Sequence, residues 1–160
     1  MTDSAPESWP SDTPLAPLPI LLLRARTLVA SHFRPTLRQH DLTEAQWRVV
    51  RSLYNCAHLD ATEMSVRTDL LPSSLSRILR DLAARGLLVR SVPEDDARRS
   101  LAMLTNSGRK LVETAIRDLY PVHDQIEQRL GPERFLELKR LLTEVIGVLD
   151  GDPSQAHDEL

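Results

Sequence analysis

One cysteine, five glycines and six aromatic side chains are few for a chain of 160 residues. The lone Cys56 excludes a disulfide within the chain. Sparse glycine and aromatics favour helices over a large sheet. Glycine-rich phosphate loops, nucleophile elbows and paired metalloprotease histidines do not occur, so no enzyme and no cofactor are expected. His32, His40, His58, His123 and His157 form no tight cluster with carboxylates or cysteine, and no metal site is expected. No apolar run is long enough for a membrane span. A basic segment followed by an apolar run and a cleavage site is missing from the start of the sequence, which makes the cytoplasm the expected location.

Charge is present but unevenly placed. The formal net charge is −3, yet residues 64–110 carry nine basic side chains against five acidic, a local excess of four. Residues 1–14 carry Asp3, Glu7 and Asp12 without a base, and residues 150–160 carry Asp150, Asp152, Asp158 and Glu159, again without one. A basic centre between acidic ends suits contact with a polyanion through one face.

The stretch from Asp60 to Thr105 predicts a winged helix-turn-helix. Asp60 and Glu63 fit a capping box, with Leu59 and Met64 as its hydrophobic staple, so a first helix starts there. Asp69-Leu70-Leu71 reads as the turn, and Pro72 suits a first helical position. Leu75, Ile78, Leu79 and Leu82 then make one apolar face, with Ser73, Arg77, Arg80 and Ala84 opposite. Hydroxyls and guanidiniums on the exposed face of an anchored helix suit contacts to bases and phosphates. An ordinary solvated polar face has the same pattern. Gly86 ends the helix; Leu87–Val92 and Arg98–Leu104 predict two strands around a charged turn.

Around this module lie long helices. Residues 1–16 are expected to be a disordered, proline-rich arm containing Trp9, and residues 151–160 a polar tail. A helix is predicted over residues 17–40, apolar on two sides and kinked or broken at Pro35, with Ser31 satisfying the groups the proline frees. Thr43 and Gln46 fit a capping box, with Leu42 and Trp47 as the staple, for a helix running to about Ala57 with Val50, Leu53 and Ala57 as its core stripe. Trp47, Arg51, Tyr54 and His58 fall on an adjacent face. That face suits an aromatic anion, although a stapling tryptophan beside a surface arginine has the same pattern. Thr105 is placed to cap a helix that Pro121 should kink or split, and Gly131-Pro132 separates it from a last helix. Helices this apolar, outside the reading module at 42–105, predict that residues 17–40 and 106–150 form a dimerisation lobe.

Pro72-Ser73-Ser74-Leu75-Ser76-Arg77, Arg85-Gly86-Leu87, Asp96-Ala97-Arg98 and Leu104-Thr105-Asn106-Ser107-Gly108-Arg109 together resemble the MarR family of bacterial transcription regulators. The resemblance runs from about Leu18 to Leu149 and implies a mainly α fold with a small β-hairpin wing, assembled as a homodimer. It implies DNA contacts from Ser73, Ser74, Ser76 and Arg77 on the recognition helix, and Arg80 on the same polar face is expected to join Arg77 in base and phosphate contacts. On the wing, Asp96 would brace the hairpin and Arg98 approach the minor groove. Ala97 departs from a frequent second arginine, and Arg99 stands two residues on as a replacement.

Leu22–Arg26, Ser31–Pro35 and Leu42–Arg51 resemble, more narrowly, the branch that controls aromatic-acid catabolism, such as homoprotocatechuate and nicotinate degradation. The implied function is a repressor released by an aromatic acid of the pathway. Two copies are expected to bind a pseudo-palindromic operator, with a small aromatic carboxylate held near Arg26, Ser31, His40, Trp47 and Arg51. Two readings from other classes remain beside it: a redox-responsive regulator acting through Cys56, and a helical protein-interaction module.

Overall fold

The helix starts follow from their caps. In the computed structural model, which describes residues 16–91 and 100–150, Thr43 Oγ1 accepts from the Gln46 amide at 3.2 Å and Gln46 Oε1 accepts from the Thr43 amide at 2.8 Å. This reciprocal pair opens α2 (Glu44–Tyr54). Asp60 Oδ1 accepts from the Thr62 and Glu63 amides, both at 2.9 Å, and Glu63 returns a bond to the Asp60 amide, which opens α3 (Ala61–Thr68). Pro72 is the first residue of α4 (Pro72–Ala84). Thr105 Oγ1 accepts from the Gly108 amide at 3.0 Å at the start of α5 (Asn106–Leu130). Gly131, at φ +90°, ends α5, and Pro132 begins α6 (Pro132–Asp150). The first helix among the described residues, α1 (Leu18–Gln39), has no side-chain cap.

Neither internal proline divides its helix. The assigned helices run through Pro35 in α1 and Pro121 in α5. An internal proline costs about 3 kcal/mol, and burial of a leucine returns roughly 1.5–3 kcal/mol. Leu37 and Leu119 are buried two residues from the respective prolines and offset much of that cost. The Ser31 hydroxyl bonds the Leu28 carbonyl at 2.6 Å and leaves the Ser31 carbonyl, which Pro35 deprives of a donor, unserved by that side chain.

The wing has three strands where the sequence predicts two. β2 (Leu88–Ser91) and β3 (Leu101–Leu104) pair antiparallel, with Arg90 opposite Ala102. A short β1 (Leu59–Asp60) pairs with the other edge of β3, giving the order β1-β3-β2. Asp60 therefore both caps α3 and borders the sheet. The expected wing residues Asp96, Arg98 and Arg99 lie outside the described residues.

Val49, Val50, Leu53, Met64, Leu75, Leu82, Leu88 and Val112 form the centre of the core, so α2, α3, α4, β2 and α5 share one interior. Helix α2 stops at Tyr54, short of the expected Ala57, and Ala57 is exposed. The outer helices are different. On α6, Leu138, Leu141, Leu142 and Val145 are exposed while Glu137, Arg140 and Glu144 hold one another on the polar side. The hydrogen bond and charge of Glu137, with those of Glu144, raise the Arg140 guanidinium above its ordinary value. On α1, Leu21, Leu22, Leu28 and Val29 are likewise exposed.

Candidate nucleic-acid interface and effector cavity

The helix-turn-helix is set by its connection. Asp69 adopts the left-handed conformation at φ +51°, and the Ser65 hydroxyl donates to the Leu70 carbonyl at 2.6 Å. This bond and the left-handed Asp69 turn the chain sharply between α3 and α4. Leu75, Leu79 and Leu82 fix α4 by burial, and Ile78 packs half-buried against the same core. Asp81 accepts from Gln46 Nε2 at 2.7 Å, tying α4 to the start of α2. Ser73, Ser76, Arg77 and Arg80 are exposed as expected for a reading face, whereas Ser74 is half-buried. No carboxylate lies in the first turn of α4. Its free amides and exposed hydroxyl leave that end open to an anion.

Beside α4, Arg90 on β2 donates through Nε and Nη2 to Ser100 Oγ at 3.2 and 3.0 Å. This links β2 to the residue that precedes β3.

A second feature lies on α2. Trp47, Arg48, Arg51, Ser52 and Asn55, with Arg67 from α3, line an open cavity of about 310 Å³. Arg51 donates to Asn55 Oδ1 at 2.9 Å, and its guanidinium lies 5.9 Å from the centre of the Tyr54 ring. Arg48 is held by the Thr68 carbonyl, while its Nε is buried without a partner. The bonds of Arg48 and Arg51 thus go to neutral acceptors. A guanidinium so placed keeps its capacity to take a carboxylate through two parallel bonds.

Of the five expected effector residues, the structure brings Trp47 and Arg51 together in this cavity. The other three stand apart from it. Arg26 pairs with Glu44 at 2.9 Å, and Ser31 is exposed on α1. His40 Nε2 lies 2.9 Å from Asp118 Oδ2 without hydrogen-bond geometry, a charge contact that exists only with a protonated ring. His58 leaves the Trp47 face because α2 ends before it. Arg48, Ser52, Asn55 and Arg67 are additions. The first three fall on the Trp47–Arg51 side at helical spacing, a signal readable in the sequence; Arg67 comes from another helix and has none.

Cys56 is half-buried, and Arg67 Nη1 donates to its Sγ at 3.3 Å, a neighbour that the sequence did not reveal. Among the described residues there is no group of three or more histidine, cysteine or acidic side chains able to hold a metal ion, and no helix is long and apolar enough to cross a membrane.

Sequence comparison places this geometry among known proteins. The sequence profile of the MarR family matches residues 40–99. The chain is 37% identical over 141 residues to the HTH-type transcriptional regulator FarR of Neisseria gonorrhoeae, covering 88% of this chain and 97% of that protein. It is 36% identical over 131 residues to the homoprotocatechuate degradative operon repressor of Escherichia coli, covering 82% and 88%. The crystal structure of NadR in complex with 4-hydroxyphenylacetate is similar with a TM-score of 0.72 and 37% identity, covering 86% of this chain and 97% of that one. The anchored, serine- and arginine-faced α4, the hairpin beside it and these relatives agree: the chain belongs to the MarR family of winged helix-turn-helix transcription regulators.

Proposed function

We propose that this DNA-binding transcriptional repressor acts as a homodimer, holding a pseudo-palindromic operator until a small aromatic acid releases it. The observation that carries the reading is α4, whose buried leucines anchor an exposed face of Ser73, Ser76, Arg77 and Arg80. Such a helix enters the major groove, and two copies would meet half-sites about 10 base pairs apart. Asp96, Arg98 and Arg99, which lie between β2 and β3 in the sequence, complete the proposed DNA contacts, with Ser74 near the helix start. The protein is a regulator and not an enzyme. Its proposed location is the cytoplasm.

The exposed apolar sides of α1 and α6 support the dimer. Exposed leucine and valine side chains on each of these two helices are unfavourable in water, and in this reading a second copy covers them. In this arrangement residues 17–40 and 106–150 are the dimerisation lobe and residues 42–105 the reading lobe.

The effector site is proposed at the Trp47–Arg51 cavity. Trp47 offers an apolar wall for a ring, and Arg51 a charge-assisted pair for the carboxylate. Arg26, Ser31 and His40 belong to the proposed set through the α1 side, where Arg26 already reaches the first turn of α2 at Glu44. The relative crystallised with 4-hydroxyphenylacetate supports this class of ligand. Release requires the acid to bind more tightly to a dimer whose α4 helices are wrongly spaced for DNA.

The test is fluorescence anisotropy on DNA from the protein's own promoter. Affinity should fall steeply with salt through counterion release, and hydroxylated phenyl or pyridine carboxylates should dissociate the complex. Salt-insensitive binding would remove the regulator reading in favour of a helical interaction module. Binding indifferent to every such acid would remove the effector.

A redox-responsive alternative is favoured by one contact, the guanidinium of Arg67 at Cys56 Sγ, since cationic neighbours are typical of reactive thiols. DNA binding that persists after peroxide treatment eliminates it.

A further inference from the structure

Leu71 breaks a local rule at the start of α4. The residue that precedes a helix is favoured as serine, threonine, aspartate or asparagine, because its side chain can accept from a free amide. Leu71 holds that position and makes no cap bond. It gives nothing to the core either. Its side chain is 73% exposed, while Leu70 on one side is half-buried and Leu75, in the first turn, is fully buried. A single exposed leucine is ordinary on a protein surface. A leucine at this position forgoes both a cap and burial, which marks it as a residue kept for contact.

Its position says with what. Pro72 and Ser73 are also exposed, so the tip of α4 presents two apolar side chains and then a hydroxyl. Recognition helices of this motif meet base edges with their N-terminal residues. In the major groove the bases present donors, acceptors and one apolar group, the 5-methyl of thymine.

We propose that Leu71 reads a thymine methyl group in each half-site. This rests on α4 being the recognition helix and adds to it an apolar, thymine-specific contact that arginine and serine cannot make. Packing of Leu71 on the methyl removes both from water and discriminates thymine from cytosine without a hydrogen bond.

The experiment uses the full chain and a high-affinity operator selected from random duplexes. Each thymine is replaced in turn by uracil, which deletes the methyl alone, and Kd is measured for the wild type and for Leu71→Ala. One thymine per half-site should lose about three- to fivefold affinity for the wild type, the value of one buried methyl. With Leu71→Ala that thymine-to-uracil ratio should fall to one, while circular dichroism and thermal stability are unchanged because the side chain is exposed. An undiminished ratio in Leu71→Ala overturns the proposal. A wild type indifferent to uracil at every position also overturns it, and repression lost in cells without loss of operator affinity would then assign Leu71 to a protein partner. An Arg77→Ala arm separates the two levels: unchanged operator affinity there refutes α4 as the reading helix itself.

Discussion

A Cβ placed on Gly108 would stand 1.9 Å from the Leu87 carbonyl oxygen. That carbonyl already accepts from the Thr105 amide at 3.1 Å. The first turn of α5 is therefore pressed against the residue that leads into β2, and only a glycine permits the approach. The wing and α5 are joined at this point. Gly108→Ala must push the α5 backbone from the wing, at a cost of about 1–3 kcal/mol or more. Chemical denaturation should register the loss as a lower midpoint. A midpoint equal to wild type would mean that the approach relaxes freely.

Thr105 works at the same junction with two bonds, donating to the Gly86 carbonyl at 2.7 Å and accepting from the Gly108 amide. Thr105→Ala should cost roughly 1 kcal/mol as a lost cap, plus the bond that holds the end of α4. Thr105→Ser should restore most of it, since the hydroxyl does both tasks. Equal destabilisation by alanine and serine would assign the effect to the methyl group.

Arg77→Ala should weaken operator binding by roughly 1–3 kcal/mol and relax specificity at one position if Arg77 meets a base. If it meets a phosphate, the loss should be uniform across sequences and the salt slope should fall by about one. Stability should not change, because Arg77 is exposed. Anisotropy titrations at several salt concentrations separate these outcomes.

The two arginines proposed for the effector site should differ. Arg51→Ala removes a cavity wall whose bond goes to the neutral Asn55, so effector-driven release should need at least about tenfold more acid, in keeping with a charge-assisted hydrogen bond of roughly 1.5–3 kcal/mol. Arg26→Ala should have a smaller effect, because that guanidinium is already engaged by Glu44. Calorimetry with 4-hydroxyphenylacetate as the probe orders the pair. A larger effect at Arg26 would move the carboxylate toward α1.

Charges set into the exposed α6 face test the dimer. Leu141→Glu with Val145→Glu should yield a folded monomer by sedimentation, with operator affinity reduced because one α4 acts alone. A dimer of undiminished stability would place the interface elsewhere.

The sequence by itself determined the local decisions. Thr43 with Gln46, Asp60 with Glu63, and Thr105 announce helix starts because capping is chemistry among neighbours. The leucine period of α4 announced its buried side, and through it the exposed side proposed to read DNA. What only the tertiary structure decided involves partners far apart in the chain. Pro35 and Pro121 leave their helices undivided because packing offsets the lost bond. Leu59 and Asp60 become a strand only because β3 comes to lie beside them. Arg67 reaches the Trp47 cavity and Cys56 from another helix, and the glycine at position 108 acquires its reason from Leu87. Periodicity and capping report the nearest few residues, whereas contacts between elements depend on where the whole core sets them.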